Sequence, residues 1–338
     1  MPLSTLPSPQ GVAIRGSGVA ASCCAHLLAD AGFAVSRLEG GAPRVPAILI
    51  GEGTQALLCD LYGRPDLFDG MFPIERRIVA WGADRPVELP HRAVVVRGDV
   101  WLPGLGGAQD SGLPAAAGEW VVYASRPLPA NAGEHAFGSR MASATAVGFE
   151  PNRESACWIE SLDDGWLFLL PDSSTTGWLL AVGASRDRLL ERSHLIAGVV
   201  RATGAEGGTF AAHPRIADPL CARGWLACGA AAMAFDPISG DGAGAAVREA
   251  ILAAAVIRAI HQGGDVTRLL AHYRARLIAG LLRHLEMCRT FYASANCGPW
   301  WAGEIAALDE GISWCGEALR AAGPFRYRLH GLELQAIE

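Results

Sequence analysis

The sequence predicts an α/β fold, α+β in overall character: one domain built on a parallel sheet, interleaved with a second built on an antiparallel sheet, followed by C-terminal helices. Three observations predict it. Gly11–Gly40, GVAIRGSGVAASCCAHLLADAGFAVSRLEG, reads as strand, glycine turn, helix, strand. Far downstream, WLACGAAAMAFDPISGDGAGAAVREAILAAAVIRAI (225–260) starts as a short apolar strand, turns at Gly229, crosses a glycine-rich loop and continues as an Ala-rich helix. Between the two, residues 74–97 and 137–185 carry strand-like runs separated by turns such as Asp-Asp-Gly at 163–165, the pattern of an antiparallel sheet.

Composition narrows the function classes. At 338 residues the chain can bury an ample core, as one large domain or two interleaved ones. A net charge of −6 with no basic stripe argues against a nucleic-acid partner. All 28 basic residues are arginine, and lysine is missing altogether. The N-terminus, MPLSTLPSPQG, has no basic n-region or long apolar run. Residues 243–260 are interrupted by Arg248 and Glu249, so they read as a buried helix and not as a membrane span. Nine cysteines, an odd number without a secretion signal, suggest reduced thiols and a cytoplasmic location. No Cys/His cluster has metal-ligand spacing.

The first turn, Gly16-Ser17-Gly18-Val-Ala-Ala21, is a G-x-G-x-x-A version of the dinucleotide fingerprint of a Rossmann-type domain. Gly16 allows the tight turn, Gly18 lets a pyrophosphate approach the backbone, and Ala21 permits close helix–strand packing. Glu39 falls at the end of the next strand, where an acidic residue binds an adenosine ribose. Arg15, inside the first strand, departs from the usual small or apolar residue.

Arg44 opens the next stretch, which runs to Gly51-Glu52-Gly53-Thr54 and then a helix over 55–62. Thr54 can cap that helix, and Glu52 could serve as acid, base or anchor. The runs at 74–97 suit a sheet lying over a bound ring, with His91 just ahead of Val94–Val96 as a second proton-handling candidate. Residues 102–118 read as loop plus short helix, and 120–126 as a strand of the cofactor domain. Trp158, Trp166, Phe168 and Trp178 could line a pocket for an aromatic substrate or simply fill the core. Residues 186–203 have apolar positions three and four apart and predict a helix.

The second glycine loop, Asp236-Pro237-Ile-Ser-Gly240-Asp-Gly242-Ala243-Gly244, feeds a helix. Unpaired N–H groups and the positive end of the helix dipole stabilise negative charge there. A phosphate is one candidate ligand, and the N1/C2-carbonyl edge of a reduced flavin is another. One long amphipathic helix follows over 265–295, then one or two more over 303–322, and the ending PFRYRLHGLELQAIE forms a strand or an ordered tail. Trp300 and Trp301 read as packing residues or a cap on the substrate cavity.

Taken together, the Rossmann fingerprint, Gly-Glu-Gly-Thr and Asp-Pro-Ile-Ser-Gly-Asp-Gly resemble the FAD-dependent monooxygenases of the p-hydroxybenzoate hydroxylase fold. The branch most resembled contains the tryptophan halogenases, and within it flavoproteins that mature tryptophylquinone cofactors. The resemblance implies FAD as cofactor, reduced by NAD(P)H or by a separate flavin reductase. It puts Pro237 on the flavin face, the N–H groups of Gly240, Gly242, Ala243 and Gly244 at the pyrimidine end, and Asp236 beside them. At Gly229-Ala230 the family has Gly-Asp, whose aspartate binds the ribityl chain; Ala230 lacks that carboxylate. Halogenation in this branch uses an active-site lysine, and this chain has none. Trp166-Leu-Phe168-Leu-Leu-Pro171 resembles the W-x-W-x-I-P motif of the halogenases, with Phe168 where the second tryptophan stands.

The expectation is therefore hydroxylation of an aromatic ring through a flavin C4a-hydroperoxide, the partner being an aromatic substrate such as a tryptophan side chain in a peptide or protein. His91 or Glu52 would handle the proton. The alternatives are an FAD-dependent reductase or oxidase of the same fold, with a long apolar tunnel, and a non-catalytic binding partner that has lost tight flavin binding. The expected organisation is an FAD-binding domain from 1–75, 95–135 and 216–265, a substrate-binding sheet domain from 76–94 and 136–215, and a helical segment over 266–338.

Overall fold

The computed structural model describes residues 11–40, 45–82, 85–105, 120–151, 155–205 and 207–337. It bears out the expected α/β class, with two main sheets meeting along a set of helices.

Among the described residues, one sheet has five strands in the order Cys221–Ala222, Trp225–Ala227, Trp120–Tyr123, Gly11–Arg15, Ala34–Leu38. The last four are parallel. Its central strand, Gly11–Arg15, buries Val12 and Ile14 almost completely, as a strand covered on both faces must. Helix α1 (Val19–Asp30) follows the first turn and is lined with small buried residues, among them Ala20, Ala21 and Cys24. That lets it lie close to the Ala-rich α5 (Gly242–His261), close enough for Cys24 Sγ to donate to the Ala250 carbonyl at 3.7 Å.

The larger sheet has nine strands. Eight run in the order Val200–Thr203, Met141–Phe149, Thr176–Gly183, Gly165–Pro171, Ala156–Leu162, Phe72–Ala80, Val87–Arg97, Ala47–Gly51, and Phe210–Ala211 also pairs with Met141–Phe149. The sheet is mixed, not purely antiparallel, because Phe72–Ala80 runs parallel to Ala156–Leu162. The Ala47–Gly51 strand, inside the span expected for the cofactor domain, is an edge of this sheet. Gly133–Ala136 forms a small separate sheet with Arg215–Asp218 and Met233–Ala234.

Three local expectations are corrected. Residues 186–203 do not form one helix: α4 covers only Arg186–Arg192, and Val200–Thr203 is a strand. The cause is the buried carboxylate of Glu160, which accepts the N–H groups of His194 (2.7 Å), Leu195 (3.0 Å) and Ile196 (3.0 Å) and the Ser193 hydroxyl. Those donors would otherwise have gone into the next helical turn. Helix α2 starts at Glu52 and ends at Tyr62, with Gly51 at its N-cap and no capping side chain. Thr54 is thus a buried helical residue and not the cap. The short helix expected with a loop over 102–118 lies earlier, as α3 (Gly98–Leu105), and residues 106–119 lie outside those described.

At the C-terminal end, α6 (Val266–Ala293) and α7 (Pro299–Ala322) are single uninterrupted helices. The ending folds as a hairpin of Tyr327–His330 and Glu333–Ala336. Trp301 is fully buried and donates its indole N–H to the Leu162 carbonyl at 2.8 Å. No helix among the described residues is long and apolar enough to cross a membrane.

Candidate active site

The first glycine turn closes as its fingerprint requires. Gly16 has φ of +105°, and a Cβ there would lie 2.1 Å from Ser125 Oγ, so no larger residue fits. Its N–H donates to the Leu38 carbonyl at 3.1 Å, tying the turn to the end of the second strand. Gly18 is the N-cap of α1 with no capping side chain, which leaves helix N–H groups open to an anion. Ala21, in the first turn of α1, is fully buried.

A cavity of about 520 Å³ opens beside this turn, lined by Arg15, Gly16, Ser17, Leu38, Glu39, Gly40 and Pro127. Two buried polar atoms nearby, Arg15 Nε and Ser125 Oγ, have no partner among the described residues. Buried donors and acceptors are ordinarily satisfied, so both fit a polar ligand seated on the turn.

Ser17 belongs equally to a second cavity, of about 500 Å³, that runs from the first turn to the second. Gly229, Ala230, Pro237, Gly240, Gly242 and Ala243 form one side of it. The other side is the large sheet, through Ala144, Phe168, Leu170, Trp178, Leu180 and Phe210. Cross-strand register explains the wall: Phe168 pairs with Leu180 and Leu170 with Trp178, and alternate residues share a face. The Trp178 indole N–H donates to Asp172 at 3.1 Å, which fixes its ring. Trp166 and Trp158 fill separate parts of the core instead.

The second loop is held from behind. Asp236 is fully buried, and its carboxylate accepts from Ile238 N–H (2.9 Å), the Tyr292 hydroxyl (2.8 Å) and the Arg140 guanidinium. Arg140 also donates from Nε to Glu304 at 2.7 Å. The Asp236 N–H donates to His284 Nε2 at 2.8 Å. Burial, together with the Arg140 charge, pushes the His284 pKa down to about 4, so the ring is a neutral acceptor. Although Asp236 borders the cavity, its carboxylate is committed to fixing the loop that presents Pro237. Gly240 takes φ of +63° and Gly244 packs against Thr54, 2.5 Å from where a Cβ would stand.

The two proton-handling candidates lie apart. His91 is half-buried and accepts from Arg77 at 3.2 Å. The Arg77 guanidinium in turn reaches to 3.5 Å from a Cβ placed on Gly240. Burial first, and then Arg77, push the His91 pKa down to about 4. Neither His91 nor Glu52 lines the cavity, and Glu52 is exposed beside Arg92 at 3.6 Å. Glu39 lines the first cavity, and Arg44 lies outside the described residues.

Sequence reasoning passed over one wall residue. Glu249, on α5, is buried and accepts the Gly229 N–H at 2.7 Å. The signal was available, since a carboxylate inside an Ala-rich helix needs a partner.

No protein-family model matches the chain, and a search of curated proteins finds no match in sequence. Solved structures do match in fold. A peptidyl tryptophan dihydroxylase essential for tryptophylquinone cofactor biogenesis superposes with a TM-score of 0.73 at 18% identity, over 88% of this chain and 79% of that one. A flavin-dependent halogenase gives 0.76 at 16% identity, over 94% and 72%. A p-nitrophenol 4-monooxygenase from Pseudomonas putida gives 0.67 at 15%, over 93% and 96%. The chain has the fold of the FAD-dependent hydroxylases and halogenases.

Proposed function

We propose that the chain is an FAD-dependent monooxygenase that hydroxylates an aromatic ring, that of a tryptophan side chain in a peptide or protein. The observation that carries this reading is the pair of cavities meeting at Ser17, one bordered by Glu39 and the other by an aromatic wall. In this reading the ADP half of FAD rests on Gly16–Gly18 with its ribose at Glu39. The ring lies along Pro237–Gly244 under the sheet. Bound and reduced, FAD supplies activated oxygen, its electrons coming from NAD(P)H or a separate flavin reductase.

The chain's own residues bind, orient and exclude water. Phe168, Leu170, Trp178 and Leu180 offer an apolar face on which an indole or phenol ring can pack edge or face on. The same face keeps solvent from the reacting atoms. The N–H groups at the start of α5 stabilise negative charge at the ring edge. His91 is the proton-handling candidate retained, because it is neutral and its partner Arg77 lies beside Gly240. The absence of lysine favours oxygen transfer over halogenation. The relation in fold to a peptidyl tryptophan dihydroxylase supports the choice of substrate class.

One observation favours a second reading. An adjoining cavity of about 980 Å³, lined by Leu57, Phe235, Leu252 and Met287 with Asp60, Arg276 and Arg283 among them, shares Met233, Phe235, Ser239 and Glu249 with the second cavity. Its size suits a long apolar chain, as an FAD-dependent reductase or oxidase would require. The deciding experiment incubates the protein with FAD, a reductant and tryptophan-containing peptides under isotopically labelled dioxygen. Mass spectrometry should find labelled oxygen in the peptide. Oxygen consumption without incorporation would overturn hydroxylation, and failure to bind FAD would overturn the flavin site.

A further inference from the structure

Glu249 stands in the middle of an apolar helix, 7% exposed. Its Oε2 accepts the Gly229 N–H at 2.7 Å, and Oε1 has no hydrogen-bond partner among the described residues. The side chain borders the cavity between Ser17, Gly18 and Ala20 of the first turn and Ala230 of the second. Ala230 is exposed there and presents only a methyl group. Asp236, the other acid on this wall, has its carboxylate taken by Arg140, Tyr292 and Ile238. One carboxyl oxygen between the two glycine turns is therefore uncommitted. Glu249 lines the cavity, so a polar ligand there can hydrogen-bond that oxygen.

Resting on the flavin reading above, we propose that Glu249 is a cofactor-contacting residue whose free carboxyl oxygen hydrogen-bonds the ribityl chain of FAD, at the point where Ala230 offers no polar atom. Three titratable groups face it: Arg248 on its own helix, Cys228 from the strand end before Gly229, and Tyr273 from α6. Burial holds Cys228 and Tyr273 neutral by raising both pKa values; the strongest influence on Cys228 is its hydrogen bond with Cys24. Burial also pushes Glu249 up to about 8, against the opposing pull of the Gly229 N–H and Arg248. At neutral pH the group is then a protonated carboxyl that can donate as well as accept. It adds no negative charge beside the two phosphates of FAD. Once ionised, it repels them.

The test measures dissociation constants for FAD, riboflavin and ADP with the full chain, Glu249→Gln and Glu249→Leu, from about pH 6 to about pH 9.5. In the parent protein, FAD affinity falls as pH rises through about 8. Glu249→Gln keeps FAD affinity within about threefold near pH 7 and loses the pH dependence. Glu249→Leu weakens FAD and riboflavin about tenfold while ADP, which has no ribityl chain, changes less than about threefold. Parallel losses for FAD and ADP, or none at all, would reduce Glu249 to a prop for Gly229 and overturn the proposal. If Glu249→Leu does not fold, the pH profile of Glu249→Gln decides. A parent protein that binds no FAD fails the flavin reading itself, an outcome separate from normal FAD binding indifferent to Glu249.

Discussion

Arg140 is buried among Asp236, Glu304 and Tyr292, so two carboxylates depend on one guanidinium deep in the protein. Removing one member of such a group leaves uncompensated charge. Arg140→Met should cost about 3–5 kcal/mol in urea denaturation. Glu304→Gln on that background should recover part of the loss. The neighbouring His284 gives a pH signature. Its folded pKa is depressed from 6.5 to about 4, so its share of stability is whole above about 6.5 and is lost as pH falls towards about 4. Protonation would replace the acceptor of the Asp236 N–H with a donor. His284→Gln keeps an acceptor, so the urea midpoint of that variant should fall less steeply with acid. None of this polar cluster was legible in the sequence. Arg140 and Glu304 are 164 residues apart, and only the fold brings them together.

At the scale of elements, legibility followed locality. The first turn and α1 could be read because Gly16, Gly18 and Ala21 fall within six consecutive residues between a strand and a helix. Residues 193–199 could not, because their helical periodicity is overridden by Glu160 from another strand. Glu160→Ala should therefore free those N–H groups and cost about 2–4 kcal/mol, with hydrogen exchange rising first at 194–196. Unchanged exchange there would show that the turn holds itself. The tryptophan positions teach a related lesson. Alternation told which residues share a face, but only the curvature of the sheet and the helices on it decide that Phe168 and Trp178 meet the cavity while Trp166 meets Tyr292. The mixed sheet was missed for the same reason.

For the molecule as a whole, Glu249 opposes His284 in setting the pH optimum. Its folded pKa is raised from 4.5 to about 8, so its contribution is full below about 4.5 and is lost as pH rises through about 8. Across that window the parent protein should lose stability at up to about 1.4 kcal/mol per pH unit from this group. Glu249→Gln should flatten the alkaline side of the profile. The cavity wall sets a further expectation: Trp178→Ala removes part of the aromatic face and widens the cavity, and kcat/KM for a tryptophan peptide should fall about tenfold or more as ring placement loosens. Unaltered kinetics would mean the substrate packs elsewhere.

Ser17 belongs to both cavities, so a ligand long enough can occupy the two at once, and a short one cannot. Once one half is seated, the tether confines the other half to a few ångströms of its own berth, as though it were present at very high local concentration. FAD should therefore outcompete an equimolar mixture of ADP and riboflavin by about 10²–10⁴, although the mixture offers nearly the same chemical groups.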